Sequence, residues 1–250
     1  MSETIIQRVD DLPLILNWLL KMHLHVIIDR IWSPHRNWNG LTYGQLAVLF
    51  VTFIIHQRSH VLSKMEDWVA DHHMILQQAT GWEISLKDAT DDRLGILLES
   101  LGSDCEQAVE FQSQMGKHLI HAFCLPTEVA RYDTTSFSLH HSPDKEHALL
   151  RFGYSKDKRP DLLQFKQGLG TLDPAGVPIL THTLSGETAD DGLYIPSWQQ
   201  MAETIGHKNF LFVADCKAAM FLVQLLLKKE ASISFHYQNQ EKYQSGFGNK

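Results

Sequence analysis

The sequence has little cysteine and no long uninterrupted apolar segment. Its 250 residues contain three cysteines, Cys105, Cys124 and Cys216, an odd number without CxxC spacing. This pattern supplies neither a disulfide framework nor a zinc motif, and it predicts a reducing compartment. The longest apolar run, residues 46–55, includes Thr52 and is far shorter than the ~20 residues of a membrane helix. The first residues lack the apolar core of a secretory signal. We therefore expect a cytoplasmic protein without a membrane span.

The charge balance gives no general preference for nucleic acid. The formal net charge is −7, with 22 Lys and Arg against 29 Asp and Glu, and phosphate binding is driven by clustered Lys and Arg. One local exception lies between residues 145 and 166, where the cations are Lys145, Arg151, Lys156, Lys158, Arg159 and Lys166. Such a run is either a solvated face or a surface that positions phosphate, and both interpretations stay open.

The first 125 residues show the pattern of an all-α domain, which we place at residues 5–122. Helix-start signals recur at Pro13 after Asp11, and as capping boxes at Thr42/Gln45, Ser63/Glu66 and Ser103/Glu106. With the apolar spacing of three and four residues that follows them, they predict helices over residues 11–31, 43–57, 63–79, 90–101 and 104–122.

Histidines and tryptophans are frequent in this helical part but do not form a recognisable site. His23 and His25, and His72 and His73, have no Cys or carboxylate at ligand spacing, so core or surface histidines are favoured over a metal site. Five tryptophans are likewise expected in the core rather than as stacking platforms: Trp18, Trp32, Trp38, Trp68 and Trp82.

Around Pro126 the apolar pattern changes from helical to strand-like. Residues 129–139, 162–172 and 177–184 read as strands, and Asp173 to Gly176 reads as the turn of an antiparallel hairpin. A helix over residues 193–205, a buried strand over 209–214 and a helix over 216–227 follow. The order strand, hairpin, helix, strand, helix predicts a mixed α/β domain.

Two aspartates, 82 positions apart (215 − 133), end or interrupt strand-like segments. Asp133 lies in VARYDTTSF and Asp215 in FLFVADCK. A carboxylate on a strand is held by a rigid element, as a divalent-metal site for phosphate chemistry requires. The alternative is that Asp215 caps a helix and that Asp133 is an ordinary strand carboxylate.

The sequence segments around the two aspartates resemble those of a known family. In order, the chain carries GYSKDKRPDLLQF (153–165), LDPAGVPIL (172–180), SGETADD (185–191) and VADCKA (213–218), preceded by DDLP (10–13) and TDDRL (90–94). Together these segments resemble the DDE transposases of bacterial insertion sequences, in a branch with an N-terminal helical domain of unknown function. The resemblance covers about residues 5–219.

This resemblance implies a specific fold and site. It implies an incomplete ribonuclease H-like mixed sheet over residues 127–219, in which the first and fourth strands are neighbours and bring Asp133 and Asp215 together. There the two aspartates would bind two Mg²⁺ ions, which cleave phosphodiesters and transfer strands without a covalent intermediate. Lys156, Lys158 and Arg159 are candidate contacts to DNA phosphate, although Lys158 and Arg159, with Asp157 and Asp161, are equally consistent with a charged turn.

The resemblance also implies a deficiency. The family completes its site with a glutamate on a later helix, and neither Glu230 nor Glu241 lies in a matching context. Residues 220–250 depart from the family pattern, so we expect a truncated or frameshifted transposase that is inactive or very weak. Its partners would be terminal inverted repeats, target DNA and further copies of the chain. The alternatives are a non-catalytic DNA-binding or subunit-trapping regulator and an unrelated metal-dependent nuclease of the same fold.

Overall fold

The computed structural model describes residues 8–140, 149–153 and 159–215, apart from the side chain of Asp191. The chain divides into two compact units, Met1–Leu125 and Pro126–Lys250. In the described residues the first unit is helical and the second is a mixed sheet with one longer helix. The predicted order, a helical part followed by an α/β part, is confirmed. The helix predicted over 216–227 and the tail 220–250 lie outside the described residues.

Six α-helices are described in the first unit. They are α1 (Leu12–Lys21), α2 (Leu24–Ile31), α3 (Tyr43–Gln57), α4 (Met65–Thr80), α5 (Asp91–Gly102) and α6 (Cys105–Ala122), with short 3₁₀ turns at Leu62–Lys64 and Leu86–Ala89. The single helix predicted over 11–31 is wrong. His23, at φ 54°, separates α1 from α2, and the two helices are bent by 51°. The bend lets Leu16 of α1 and Ile28 of α2 both enter the core.

The helix starts were predicted with mixed success. The capping box of α3 is present, since the Thr42 side chain accepts from the Gln45 backbone and the Gln45 side chain accepts from the Thr42 backbone. The box predicted at Ser63 is wrong, because Ser63 lies inside a 3₁₀ turn. At α6 the cap is Asp104 rather than Ser103, and its carboxylate accepts from the Glu106 backbone N–H at 2.8 Å.

The core of the helical unit is made where α2 crosses α3. Gly44 lies so close to α2 that a Cβ there would be 2.1 Å from the backbone oxygen of His25. Asp29 of α2 stabilises the contact, since its carboxylate accepts from Thr42 Oγ1 at 2.6 Å and from the Gly44 N–H at 2.7 Å. The fully buried leucines of this core come from four helices: Leu12, Leu16, Leu46, Leu49, Leu76, Leu94 and Leu97.

The tryptophans and histidines of this unit mostly serve packing. Trp32 and Trp68 are buried as predicted, but Trp18 is 48% exposed, so its assignment to the core is wrong. His72 and His73 bond to the backbone oxygens of Trp68 and Ile84, at 2.8 and 2.7 Å. Among the described residues no single helix is long and apolar enough to cross a membrane, and the bent pairs α1–α2 and α3–α4 reach that length and composition only when taken together.

The second unit contains a four-stranded mixed sheet. Its strands are β1 (Val129–Leu139), β2 (Leu163–Leu172), β3 (Val177–Ser185) and β4 (Leu211–Val213), and α7 (Tyr194–Ile205) precedes β4 after a short turn at Asp190–Gly192. The spatial order is β3-β2-β1-β4, with β1–β2 and β2–β3 antiparallel and β1–β4 parallel. The hairpin, the helix and the neighbouring first and fourth strands agree with the prediction.

One face of this sheet is covered by α7 and the other is open among the described residues. Along β1, Ala130, Tyr132 and Thr134 are buried and alternate with exposed residues, as expected when successive side chains point to opposite faces. On the covered face, Gly170 leaves room for Met201 of α7, whose sulfur would be 2.9 Å from a Cβ at that position. The alternation therefore decides which residues of β1 reach solvent, including Asp133.

Candidate functional site

Of the two candidate metal-binding aspartates, Asp133 lies in β1, and Asp215 follows the parallel neighbour β4. The β1–β4 ladder pairs Arg131 with Val213 as its last register pair. Asp133 lies two residues after Arg131, and Asp215 lies two residues after Val213, just beyond the end of β4. Parallel strands run in the same direction about 4.8 Å apart, so the register, continued for two residues beyond Val213, would place Asp215 beside Asp133. The observed ladder itself brings together Arg131 and Val213, which are distant in sequence.

Both aspartates are exposed. Asp133 belongs to the open face of the sheet, where it alternates with the buried Tyr132 and Thr134. Asp215 follows Val213, the partner of Arg131. One carboxylate oxygen of Asp133 accepts from the Thr134 N–H at 2.7 Å. This contact fixes one oxygen against the strand.

An ion pair lies beside this position on the same face. Arg131 Nε lies 2.8 Å from both carboxylate oxygens of Asp173, and an Nη nitrogen lies 2.7 Å from one of them. The hydrogen bond from Arg131 holds the pKa of Asp173 below its usual range, and it raises the pKa of Arg131 in turn. Arg131 is therefore engaged by Asp173, so it is not the natural counter-ion of Asp133.

The covered face below Asp133 contains a chain of polar contacts. Tyr132 is 1% exposed, and its hydroxyl lies 3.2 Å from His182 Nδ1, while His182 Nε2 lies 2.9 Å from Gln200 Oε1. Because an amide oxygen only accepts, His182 donates from Nε2 and accepts the Tyr132 proton at Nδ1. Burial raises the pKa of the Tyr132 hydroxyl. These contacts anchor the residue that directly precedes Asp133.

Sequence reasoning did not identify these supporting residues. Alternation along β1 could have predicted the burial of Tyr132, because it lies between Arg131 and Asp133. No local signal could have named His182 and Gln200 as its partners, since they come from β3 and α7. The same holds for Gly168, where a Cβ would lie 2.3 Å from the Tyr132 hydroxyl oxygen.

The predicted phosphate-binding residues fall into two groups. Lys156 and Lys158 lie outside the described residues. Arg159 is described, and it forms a two-point ion pair with Asp161, with nitrogen–oxygen distances of 2.8 and 2.7 Å. The hydrogen bond from Arg159 lowers the pKa of Asp161 to about 2. The contacts of Arg159 therefore agree with a charged turn rather than with a free phosphate-binding side chain.

The metal-binding capacity of the site is limited to what the two aspartates can supply. Over residues 8–140, 149–153 and 159–215 there is no group of three or more His, Cys, Asp or Glu side chains that could hold a metal ion. The carboxylates of Asp133 and Asp215 are exposed and are hard oxygen donors of the type that Mg²⁺ prefers, and Mg²⁺ commonly binds proteins through one or two carboxylates. The donor set therefore fits Mg²⁺ if water or other groups supply the remaining ligands.

Glu230 and Glu241, the later glutamates of the chain, lie outside the described residues.

Comparisons with protein-family models, with curated proteins and with solved structures find nothing that matches this chain.

Proposed function

We propose that this chain is part of a DDE-type transposase, with Asp133 and Asp215 as the two strand-borne acids of a ribonuclease H-like sheet. The observation that carries the proposal is the parallel pairing of β1 and β4, whose last pair, Arg131 and Val213, lies two residues before each aspartate. The order of sequence segments that resembles the family supports it further.

Asp133 and Asp215 are the residues that would hold Mg²⁺, and bound Mg²⁺ would activate the attacking oxygen and stabilise the leaving oxygen of a phosphodiester. The protein contributes position. Asp133 lies on the central strand β1, between β2 and β4, and the contact from the Thr134 N–H restrains its carboxylate. Beneath it, the contact of Tyr132 with His182 fixes the strand. A site on a rigid element of this kind positions ligands better than one on a loop.

A regulatory role is the second candidate. Only two of the three acids of a DDE site are assigned, and among the described residues no third ligand joins them. Loss of a metal-ligating carboxylate removes several kcal/mol of transition-state stabilisation. A chain with this deficiency would bind terminal-repeat DNA, or an intact copy of the transposase, without cutting. We expect the purified chain to bind DNA and to cleave it weakly or not at all.

The test uses the purified full chain and duplexes that carry the inverted repeats flanking its gene, with shuffled duplexes as the control. Preferential binding of the repeat duplex supports the transposase assignment. Mg²⁺-dependent nicking that is lost in both Asp133→Asn and Asp215→Asn identifies an enzyme, whereas repeat binding without nicking identifies the regulator. Equal binding of repeat and shuffled DNA, or no binding of either, would show the proposal to be wrong.

A further inference from the structure

The described cations of the second unit differ in whether they have a partner. Five Arg and Lys residues are described there: Arg131, Arg151, Arg159, Lys166 and Lys208. Arg131 pairs with Asp173 and Arg159 with Asp161. Lys166 Nζ lies 3.0 Å from an Asp190 carboxylate oxygen and 2.6 Å from the Thr188 carbonyl oxygen, and Lys208 lies over the Trp198 ring.

Arg151 differs from these four. Within the described part of the chain, no carboxylate lies within ion-pair distance of its guanidinium. Its Nε is buried and has no hydrogen-bond partner. The residue as a whole is partly exposed. A partly exposed guanidinium with a buried unpaired donor and no described carboxylate partner favours an anion at that position.

The backbone around Arg151 is held firmly. Arg151 and Gln164 exchange both backbone hydrogen bonds, at 3.1 and 3.0 Å, which attaches this segment to the end of β2. Gly186 packs against both residues, because a Cβ there would lie 2.2 Å from the Gln164 oxygen and 2.5 Å from the Arg151 oxygen. A Cβ at Gly153 would lie 2.2 Å from the Gly186 oxygen. The arginine is therefore attached to a close-packed part of the sheet.

We propose that Arg151 binds a phosphodiester group of DNA, an inference that rests on the proposed function. A guanidinium offers parallel N–H donors that match the oxygens of a phosphate, and its charge persists at any physiological pH. Arg151 therefore replaces Arg159 as the candidate phosphate contact, because the donors of Arg159 are engaged by Asp161. Of the three described cations in the basic stretch, Arg159 and Lys166 have carboxylate partners and Arg151 has none among the described residues.

The position of Arg151 also indicates where it lies relative to Asp133. Arg151 is opposite Gln164 on β2, and Gln164 is buried and belongs to the covered face of the sheet. Asp133 is opposite Leu169 and belongs to the open face. Residues directly opposite each other in an antiparallel pair project to the same face, so Arg151 and Asp133 lie on opposite faces. Arg151 would therefore hold DNA away from the phosphodiester that reacts.

The experiment measures the affinity of the full chain for repeat duplex over a series of salt concentrations. For Arg151→Gln we expect weaker binding of repeat and shuffled duplexes alike. We also expect the slope of log affinity against log salt to fall by about 0.9, the value for one lost phosphate contact. Arg151→Lys keeps the charge and should retain most of the slope. Arg159→Gln, the matched control, should leave the slope unchanged.

The outcomes separate this inference from the proposed function. If the wild-type chain binds repeat DNA and Arg151→Gln has the wild-type slope while remaining folded by circular dichroism, the Arg151 assignment is refuted and the transposase proposal stands. An equal loss of slope in Arg159→Gln and Arg151→Gln would also refute the assignment, because the ion pair would then give no discrimination. If the wild-type chain binds no DNA, the proposed function fails and the assignment fails with it.

Discussion

Replacing Asp133 by Asn tests the central geometric claim through stability rather than activity. If Asp133 and Asp215 occupy the aligned positions given by the β1–β4 register, their charges repel each other in the absence of metal. Two unit charges 4 Å apart repel by about 1 kcal/mol in water and by more in a medium of lower dielectric constant. Both aspartates are exposed, so the value for water applies. Metal-free Asp133→Asn should therefore be as stable as the wild type or more stable, by up to about 1 kcal/mol.

Mg²⁺ should stabilise the wild-type chain more than it stabilises Asp133→Asn. A ligand that binds only the folded state stabilises it by about 2.7 kcal/mol at a concentration 100 times its Kd. For a chain of this size, about 1 kcal/mol shifts the Tm by roughly 2–4 °C. The wild-type Tm should then rise by roughly 5–11 °C at saturating Mg²⁺. Asp133→Asn loses a charged ligand, so its Tm should rise much less.

The assay is thermal unfolding followed by circular dichroism during a Mg²⁺ titration at constant ionic strength. Asp161→Asn is the matched control, because it removes the same charge from the same unit but at a residue paired with Arg159. It should retain the full Mg²⁺ response. An identical Tm shift in the wild type, Asp133→Asn and Asp161→Asn would show that Mg²⁺ does not bind at Asp133, and the aligned-carboxylate reasoning would have to be abandoned.

Two further predictions concern single residues. Gly40→Ala should lower the free energy of unfolding of the helical unit by more than about 1 kcal/mol. The reason is that Gly40 has φ +88° and that an added Cβ would lie 2.0 Å from a carboxylate oxygen of Asp88. Gly81→Ala is the control, since Gly81 has φ +72° but nothing within 4 Å, and urea denaturation should show a smaller loss of stability for it. The pKa of Asp161 should be about 2 in the folded chain, so its contribution to stability is present above pH ~3.9 and is lost as the pH falls towards 2. An NMR pH titration should show this value returning to the ordinary range in Arg159→Gln, and an unshifted carboxyl resonance in the wild type would contradict the ion pair.

The elements that sequence predicted well are those with strong local signals. The hairpin of β2 and β3 was predicted because alternating segments flank a turn that ends at Gly176, which has φ +67° in the structure. The start of α3 was predicted because the capping box of Thr42 and Gln45 is complete within four residues. Such signals depend on neighbouring residues alone, so they do not need the rest of the fold.

The elements that sequence predicted badly depend on distant contacts. Nothing near His23 marks a helix break, since the apolar spacing continues through residues 11–31. The break follows from the requirement that Leu16 and Ile28 both reach one core. Likewise, the composition of the basic stretch cannot distinguish Arg151 from Arg159. That difference appears only when Asp161 pairs with one of them and no described carboxylate pairs with the other.

The amino-acid sequence by itself determined the division into helical and α/β parts, with Asp133 in a strand and Asp215 directly after a strand-like segment. These follow from apolar periodicity and from the order of short segments. Only the tertiary structure decided that β1 and β4 are parallel neighbours. Their pairing joins Arg131 to Val213, which are 82 positions apart (213 − 131), and backbone hydrogen bonding between strands, which no local pattern encodes, sets that register.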